Sequence, residues 1–232
     1  MHRIRAVCFD LDNTLWDVWP VIVRAEQETY AFLAERYPRL VAKYSIEALR
    51  MERERLAKDE PHMGHDFSYL RKAALRRCAA SVGYDASLAD EAFEVFYRVR
   101  NEVTLYSDVL PALERLQVRF KLYSLTNGNA DLTRIGLRDY FHDSYSAVHV
   151  GQLKPAPAMF LRVLSHSGLP PEAVLHIGDD PIADVHGARQ IGMQTVWLNR
   201  TGERWPAAHG PEPQMAGSMD DILTMLGVSE SR

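Results

Sequence analysis

Two aspartates one residue apart end the apolar run Ala6-Val7-Cys8-Phe9, which continues as Asp10-Leu11-Asp12-Asn13-Thr14. A carboxylate at the carboxyl end of a buried strand lies at the edge where open α/β sheets hold their ligands. Asp10 and Asp12 share a parity, so a fully extended backbone would aim both the same way. Two carboxylates that close raise each other's pKa unless a cation or a division of labour relieves them. Metal binding, nucleophilic attack and acid–base work are the chemistries open to such a pair.

Three further clusters carry complementary residue types. Ser124-Leu125-Thr126-Asn127-Gly128-Asn129 follows a β-rich run and offers the Thr126 hydroxyl and backbone amides that can face an anion. Gly151-Gln152-Leu153-Lys154-Pro155 places the charge of Lys154 just before an expected helix, whose N-terminus favours anions. His176-Ile177-Gly178-Asp179-Asp180, followed by Asp184, ends another strand in carboxylates. Those oxygens suit a hard cation such as Mg²⁺. Hydroxyl, amides and lysine suit the oxygens of a phosphoryl group. An aspartate nucleophile is ionised at neutral pH already, and phosphoryl transfer asks mainly for positioning and charge neutralisation.

Each residue also has a plainer reading. Asp10 and Asp12 fit a strand-end turn or a helix cap, Thr126 a turn, and Lys154 a surface lysine. Asp179, Asp180 and Asp184 fit the acidity of a helix N-terminus, and for Asp180 both readings stay open. None of the nine histidines has a convincing ligand spacing, and His176 reads as a structural histidine within a strand. Trp16, Trp19, Phe67, Tyr69 and Arg71 are candidates for a ring-binding pocket, with core or interface packing as the simpler role for each.

The elements that must position these clusters follow from the hydrophobic pattern. Residues 5–9 read as the first strand. Helices are expected over 21–36, 45–58, 67–81 and 89–100, punctuated by Pro38, Pro61 and Gly83, with Asp85 or Ser87 as a cap for the last. Beyond Tyr106 the pattern becomes helix 109–117, strand 120–125, helix 131–137, strand 144–148, helix 155–167, strand 174–177, helix 182–191 and strand 194–198. A loop is expected over 199–217, and Ser218 with Asp221 forms a capping box for a last helix through Leu226. Alternating strands and helices imply a parallel sheet covered on both faces. The expected organisation is an α/β core from residues 1–16 and 105–232, interrupted by an all-helical insert over 17–104.

Composition narrows the setting. The 232 residues are 47% hydrophobic and 25% charged, as in ordinary globular domains. A net charge of -4 does not suggest nucleic acid or an anionic membrane as partner. Cys8 and Cys78 form no CxxC pattern, which fits a reduced compartment, and the cytoplasm is the expected location. No stretch is long and apolar enough to span a membrane. The expected partner is a small phosphate ester, with monomer and homodimer both open.

Taken in order, the four clusters resemble the phosphatases of the haloacid dehalogenase (HAD) superfamily. That family's pattern is DxDx[TV] at the first strand, Ser/Thr at the second, Lys at the third and a GDxxxxD-type acidic motif at the fourth. Here these are Asp10 to Thr14, Thr126, Lys154, and Asp179 with Asp180 and Asp184. The resemblance implies a Rossmann-like core with an inserted helical cap, which can act as a lid. It implies Asp10 as the nucleophile of an aspartyl-phosphate and Asp12 as general acid and then base. It implies Mg²⁺ held by the Asp10 carboxylate, the Asp12 backbone carbonyl and Asp179, with Asp184 in support through water or an outer hydrogen bond. Thr126 and the Asn127 amide would bind the phosphoryl group, and Lys154 would pair with it and with Asp10. The dehalogenating branch lacks the second aspartate, because a halide leaves without a proton, so Asp12 favours ester hydrolysis. Residues 10–15, 20–24, 125–129 and 176–180 further resemble bacterial phosphatases acting on FMN and on the phosphorylated ribitylaminouracil intermediate of riboflavin synthesis. The competing readings are a 2-haloacid dehalogenase-type hydrolase and a non-catalytic phospho-binding or signalling protein on the same fold.

Overall fold

From Val18 to Arg100 the regular elements are all helical: α1 (Val18–Arg36), α2 (Pro38–Lys43), α3 (Ile46–Asp59), α4 (Phe67–Ala80) and α5 (Leu88–Arg100). Val21, Ala25, Thr29 and Leu33 form one buried stripe along α1, as a helix with a single apolar face requires. Ala25 packs with Phe93, Phe96 and Val99 of α5. Local signals start the helices. The Ser45 hydroxyl accepts from Ala48 N at 3.2 Å, and the Asp66 carboxylate accepts from Tyr69 N at 2.8 Å. Pro38, which the sequence pattern marks as a break, opens α2 at a position where a first turn tolerates proline. The chain described in this computed structural model comprises residues 4–206, 208 and 210–228. It divides into two units: Val18–Val103 with Asn129–Ile135, and the remainder, which carries the sheet.

The sheet unit is built around β1 (Ala6–Phe9), every residue of which is buried. β1 pairs in parallel with β2 (Lys121–Thr126) and with β4 (Val174–Gly178). β3 (Asp143–Ser146) lies outside β2, while β5 (Gln194–Leu198) and β6 (Gln214–Ala216) continue beyond β4. The order β3-β2-β1-β4-β5-β6 reverses direction at β1, the arrangement that opens a ligand crevice at the carboxyl ends of the strands. After α6 (Val109–Gln117) come α7 (Leu132–Ile135), α8 (Ala147–Val150), α9 (Ala158–Ser167), α10 (Gly187–Arg189) and α11 (Met219–Met225). Ala6, Cys8, Tyr123 and Leu125 pack with Met159, Phe160 and Val163 of α9. Val7 and Phe9, of opposite parity, are equally buried, so both faces of the sheet are covered.

Several elements differ from the sequence pattern. The strand expected over 144–148 ends at Ser146, where the chain turns into α8. The expected loop over 199–217 contains β6, tied on by Asn199 N donating to Ala216 O at 2.8 Å. The helix expected over 182–191 begins instead as a wide π-type turn, Pro181–His186, before α10. There the amides of both Asp184 and Val185 donate to Asp180 O, at 3.1 and 3.3 Å. No helix among the described residues is long and apolar enough to cross a membrane.

Candidate active site

The loop after β1 is a tight reversal. Asn13 adopts a left-handed φ of 62°, which asparagine tolerates better than most residues. Its amide donates to Trp16 O at 2.7 Å, and Leu15 N donates to Leu11 O at 2.8 Å. Asp10, held by its own amide on Ile177 O at 2.9 Å, is buried at the sheet edge. Asp12 is half-buried, and its Oδ1 accepts from the indole Nε1 of Trp16 at 2.9 Å.

Lys154 links three strand ends. Its Nζ donates to Asp10 Oδ1 at 2.6 Å, Asp184 Oδ1 at 2.7 Å and Leu125 O at 2.6 Å, which uses all three ammonium protons. Its backbone is clamped by the Asn127 side chain: Lys154 N donates to Asn127 Oδ1 at 2.7 Å, and Asn127 Nδ2 donates to Lys154 O at 3.0 Å. Thr126 is buried, and its Oγ accepts from Gly128 N at 2.9 Å. Its hydroxyl proton stays available to a ligand oxygen.

The fourth strand supplies the acidic side. Asp179 receives the Thr14 hydroxyl at 3.3 Å, while its carbonyl takes the Trp197 indole at 2.7 Å. Asp184 lies inside the wide turn, with Oδ1 shared by Lys154 and His176 Nε2 (3.0 Å) and Oδ2 on Asp180 N at 3.1 Å. Asp180 is exposed and caps that turn, accepting from Ile182 N and Ala183 N at 2.7 and 2.8 Å. This is the helix-terminus role among the two open for Asp180. Gly178 is required by close approach, since a Cβ there would lie 2.2 Å from Asp184 Oδ2. Gly178→Ala is expected to displace Asp184 and lower turnover roughly a hundredfold, as a misplacement of about 1 Å does; steady-state kinetics of the purified variant checks this.

Side-chain oxygens of Asp10, Asp179 and Asp184 all lie within 4.8 Å of one another. Three carboxylates thus answer to one ammonium, and their protonation reflects it. Burial pushes Asp10 well above the usual carboxylate range, with Asp184 and Asp179 adding and Lys154 opposing. Burial, with Asp184 adding, pushes Asp179 up to about 7. Burial would also raise Asp184, but Lys154 and His176 outweigh it and hold that carboxylate below its usual value. Burial works against the charge on Lys154 too, yet Asp10 and Asp184 prevail and raise it. His176, lowered by burial, is neutral, and its buried Nδ1 has no hydrogen-bond partner. The proton is therefore assigned to Nε2, facing Asp184.

An oxygen-only, anion-rich cluster of this span fits a hard divalent cation such as Mg²⁺. A pH dependence follows. Because Asp10 and Asp179 are raised on folding, they stabilise the metal-free protein below about pH 4; the Asp179 contribution is lost as pH rises through about 7, and that of Asp10 is likewise lost on ionisation at higher pH. Metal-free protein should melt lower at about pH 8 than at about pH 5, and Mg²⁺ should raise the melting temperature more at the higher pH. Thermal melts at both pH values read this directly, and an equal Mg²⁺ effect at the two would refute it.

The family model for haloacid dehalogenase-like hydrolases matches residues 4–192. The chain belongs to that family. Among relatives of this HAD-like hydrolase is the Escherichia coli (strain K12) 5-amino-6-(5-phospho-D-ribitylamino)uracil phosphatase YigB, 32% identical over 202 residues, covering 85% of this chain and 84% of that protein. The glyceraldehyde 3-phosphate phosphatase of Methanopyrus kandleri is 30% identical over 206 residues, covering 85% and 84%. A crystal structure described as a 2-haloacid dehalogenase from Pseudomonas syringae pv. Tomato DC3000 superimposes with a TM-score of 0.91 at 39% identity, covering 97% and 98% of the two chains.

Within this HAD-like hydrolase the structure joins buried Asp10, Lys154 and Asp184 with half-buried Asp179 in one cluster, with Thr126 at the end of β2 and Asn127 just after it. The Asp12 carboxylate lies outside that cluster. Two contributions escaped sequence reasoning: the Asn127 amide as a clamp on the Lys154 backbone, and His176 as a donor to Asp184. His176 pairs with Cys8 in the sheet register, a central position where a buried polar side chain needs a partner. Of the five candidates for a ring-binding pocket, Phe67 is exposed, and Trp19 and Arg71 both neighbour the Arg50–Glu26 pair. Trp16 is buried in the sheet unit, Trp19 is exposed, Tyr69 donates to Glu60 at 2.7 Å, and Arg71 lies over the Phe96 ring at 3.5 Å.

Proposed function

We propose that this HAD-like hydrolase is a Mg²⁺-dependent phosphomonoester hydrolase working through an aspartyl-phosphate at Asp10. The observation that carries the reading is Asp12: a second carboxylate, two residues from the buried one, kept out of its ion cluster and oriented by Trp16. A halide leaving group needs no such proton carrier, whereas an alkoxide does. Lys154 anchors Asp10 Oδ1, and Asp10 Oδ2 attacks phosphorus. The bond from phosphorus to the ester oxygen breaks as Asp12 protonates that oxygen. Water then attacks the aspartyl-phosphate, Asp12 removes its proton, and the bond from phosphorus to Asp10 breaks. The Thr126 hydroxyl and the Asn127 backbone amide hold the phosphoryl oxygens in place, and the Lys154 charge, its protons held by Asp10, Asp184 and Leu125, offsets theirs from a distance. The cation, when bound by Asp10, the Asp12 carbonyl and Asp179, supplies the positive charge that offsets substrate and carboxylates.

The helical unit serves in this reading as the cap. The likeness to YigB supports phosphorylated ribitylaminouracil as the substrate, and the resemblance carried by residues 10–15, 20–24, 125–129 and 176–180 adds FMN. The likeness to the Pseudomonas dehalogenase favours a second reading, hydrolytic dehalogenation of a 2-haloacid. Assays on FMN, sugar phosphates, nucleotides and 2-chloropropionate separate them. Phosphate release that EDTA abolishes and Mg²⁺ restores is the expected result. Chloride release without phosphatase activity would replace it with the second reading, and FMN turnover no better than that of an unrelated sugar phosphate would remove the flavin assignment.

A further inference from the structure

Glu26 of α1 is a buried carboxylate, its side chain 4% exposed, and three arginines converge on it. Arg50 of α3 donates to its Oε2 from Nε at 2.6 Å and also contacts it through Nη2. Arg71 of α4 donates to Oε1 from Nη2 at 3.4 Å, and Arg53 of α3 reaches Oε1 at 3.5 Å. These four residues line a crevice within the helical unit, together with Thr29 and Tyr30.

The charges do not balance. The exposed Glu47 also acts on Arg50, so three guanidiniums face two carboxylates. Arg50 ties α3, and Arg71 ties α4, to Glu26 of α1 by hydrogen bonds. Arg53 reaches Glu26 through Nη1 at 3.5 Å, has its side chain 25% exposed and lines the crevice, so donors of its planar fork beyond that ion pair are open to an entering group. Arg71 is fixed by stacking on Phe96, and burial together with Arg53 pushes it down to about 9, still charged at neutral pH.

We propose that Arg50, Arg53 and Arg71 form an oxyanion site, taking the oxygens of a phosphate or carboxylate group at the mouth of this crevice. Guanidinium forks match such groups in two-pronged geometry, and Glu26 acts as an internal competitor that holds the arginines in place without saturating them. The anion comes either as a second acidic group on a substrate or as a separate small ligand.

The test uses full-length, metal-free protein and inorganic sulfate as probe, read by arginine Nε–H NMR shifts and by melting temperature. Saturable shifts at these arginines are expected in wild type and in Asp10→Asn. Arg53→Gln should weaken sulfate binding roughly tenfold, the worth of one charge-assisted hydrogen bond. Glu26→Gln should tighten it and show a larger rise in melting temperature with sulfate. A merely structural Glu26 would give lower stability with no gain in binding. Kinetics assigns the source. A KM increase in Arg53→Gln confined to esters with a second acidic group identifies the substrate, and unchanged kinetics with lost sulfate binding identifies a separate ligand. Sulfate binding indifferent to Arg53, or weakened by Glu26→Gln, overturns the proposal.

Discussion

Asp10→Asn is expected to remove turnover of any phosphate ester, by roughly 10⁴-fold or more, while leaving the fold intact. Asparagine keeps the shape at the end of β1 and can still accept the Lys154 proton through its amide oxygen, but it is a far weaker nucleophile. Stability should respond in the opposite sense to activity. In the metal-free protein, Asp10 is a buried carboxylate crowded by Asp184 and Asp179. Its neutral isostere relieves that repulsion, so the melting temperature should hold or rise. Steady-state turnover and thermal melting of the same preparation provide the measurement. Activity within tenfold of wild type would remove Asp10 from the role of nucleophile.

Lys154→Met is expected to damage both properties. The ammonium is the shared partner of Asp10, Asp184 and the Leu125 carbonyl, with its side chain 1% exposed. Removing it leaves buried acceptors facing an apolar chain, and breaking a buried ion pair in this way costs about 3–5 kcal/mol. Turnover should fall roughly 10³-fold, because the phosphoryl group loses its cation as well. Adding Asp184→Asn to Lys154→Met should recover part of the stability and none of the activity, since the two residues touch and their effects cannot be additive. Denaturant unfolding of the two single variants and the double variant checks this. Additive losses would show that the lysine and Asp184 are energetically independent.

The sheet and its functional loops were legible because the residues that announce them are local. A strand-like run followed by Asp10, Thr126 or Asp179 places each residue at a carboxyl end, and parallel pairing gathers those ends. The arrangement within the gathered site was less legible, because it depends on dihedral angles and side-chain choices that no spacing encodes. The left-handed Asn13 and the Trp16 indole on the Asp12 carboxylate are such choices. The wide turn after Asp180 carries Asp184 inward to Lys154 rather than along a regular helix. Asn127, read for its backbone amide, spends its side chain on the Lys154 backbone. Pro38 and β6 show a different limit. A proline signals both a stop and a start, and a three-residue edge strand is held by its neighbour rather than by its own pattern.

The pairing of Asp10 with Lys154 spans 144 residues. On the ribosome, the carboxylate is made early and its counter-charge late. The synthesis of α1 to α8, β2 and β3 separates the two, and until Lys154 is made, closing the sheet edge over an ionised Asp10 is costly. Even when Lys154 emerges, its second anchor, Asp184, is still inside the ribosome. The acidic cluster is therefore completed only after β4: a chain released before Asp184 has Asp10 and Lys154 but lacks the carboxylate that shares the ammonium with Asp10.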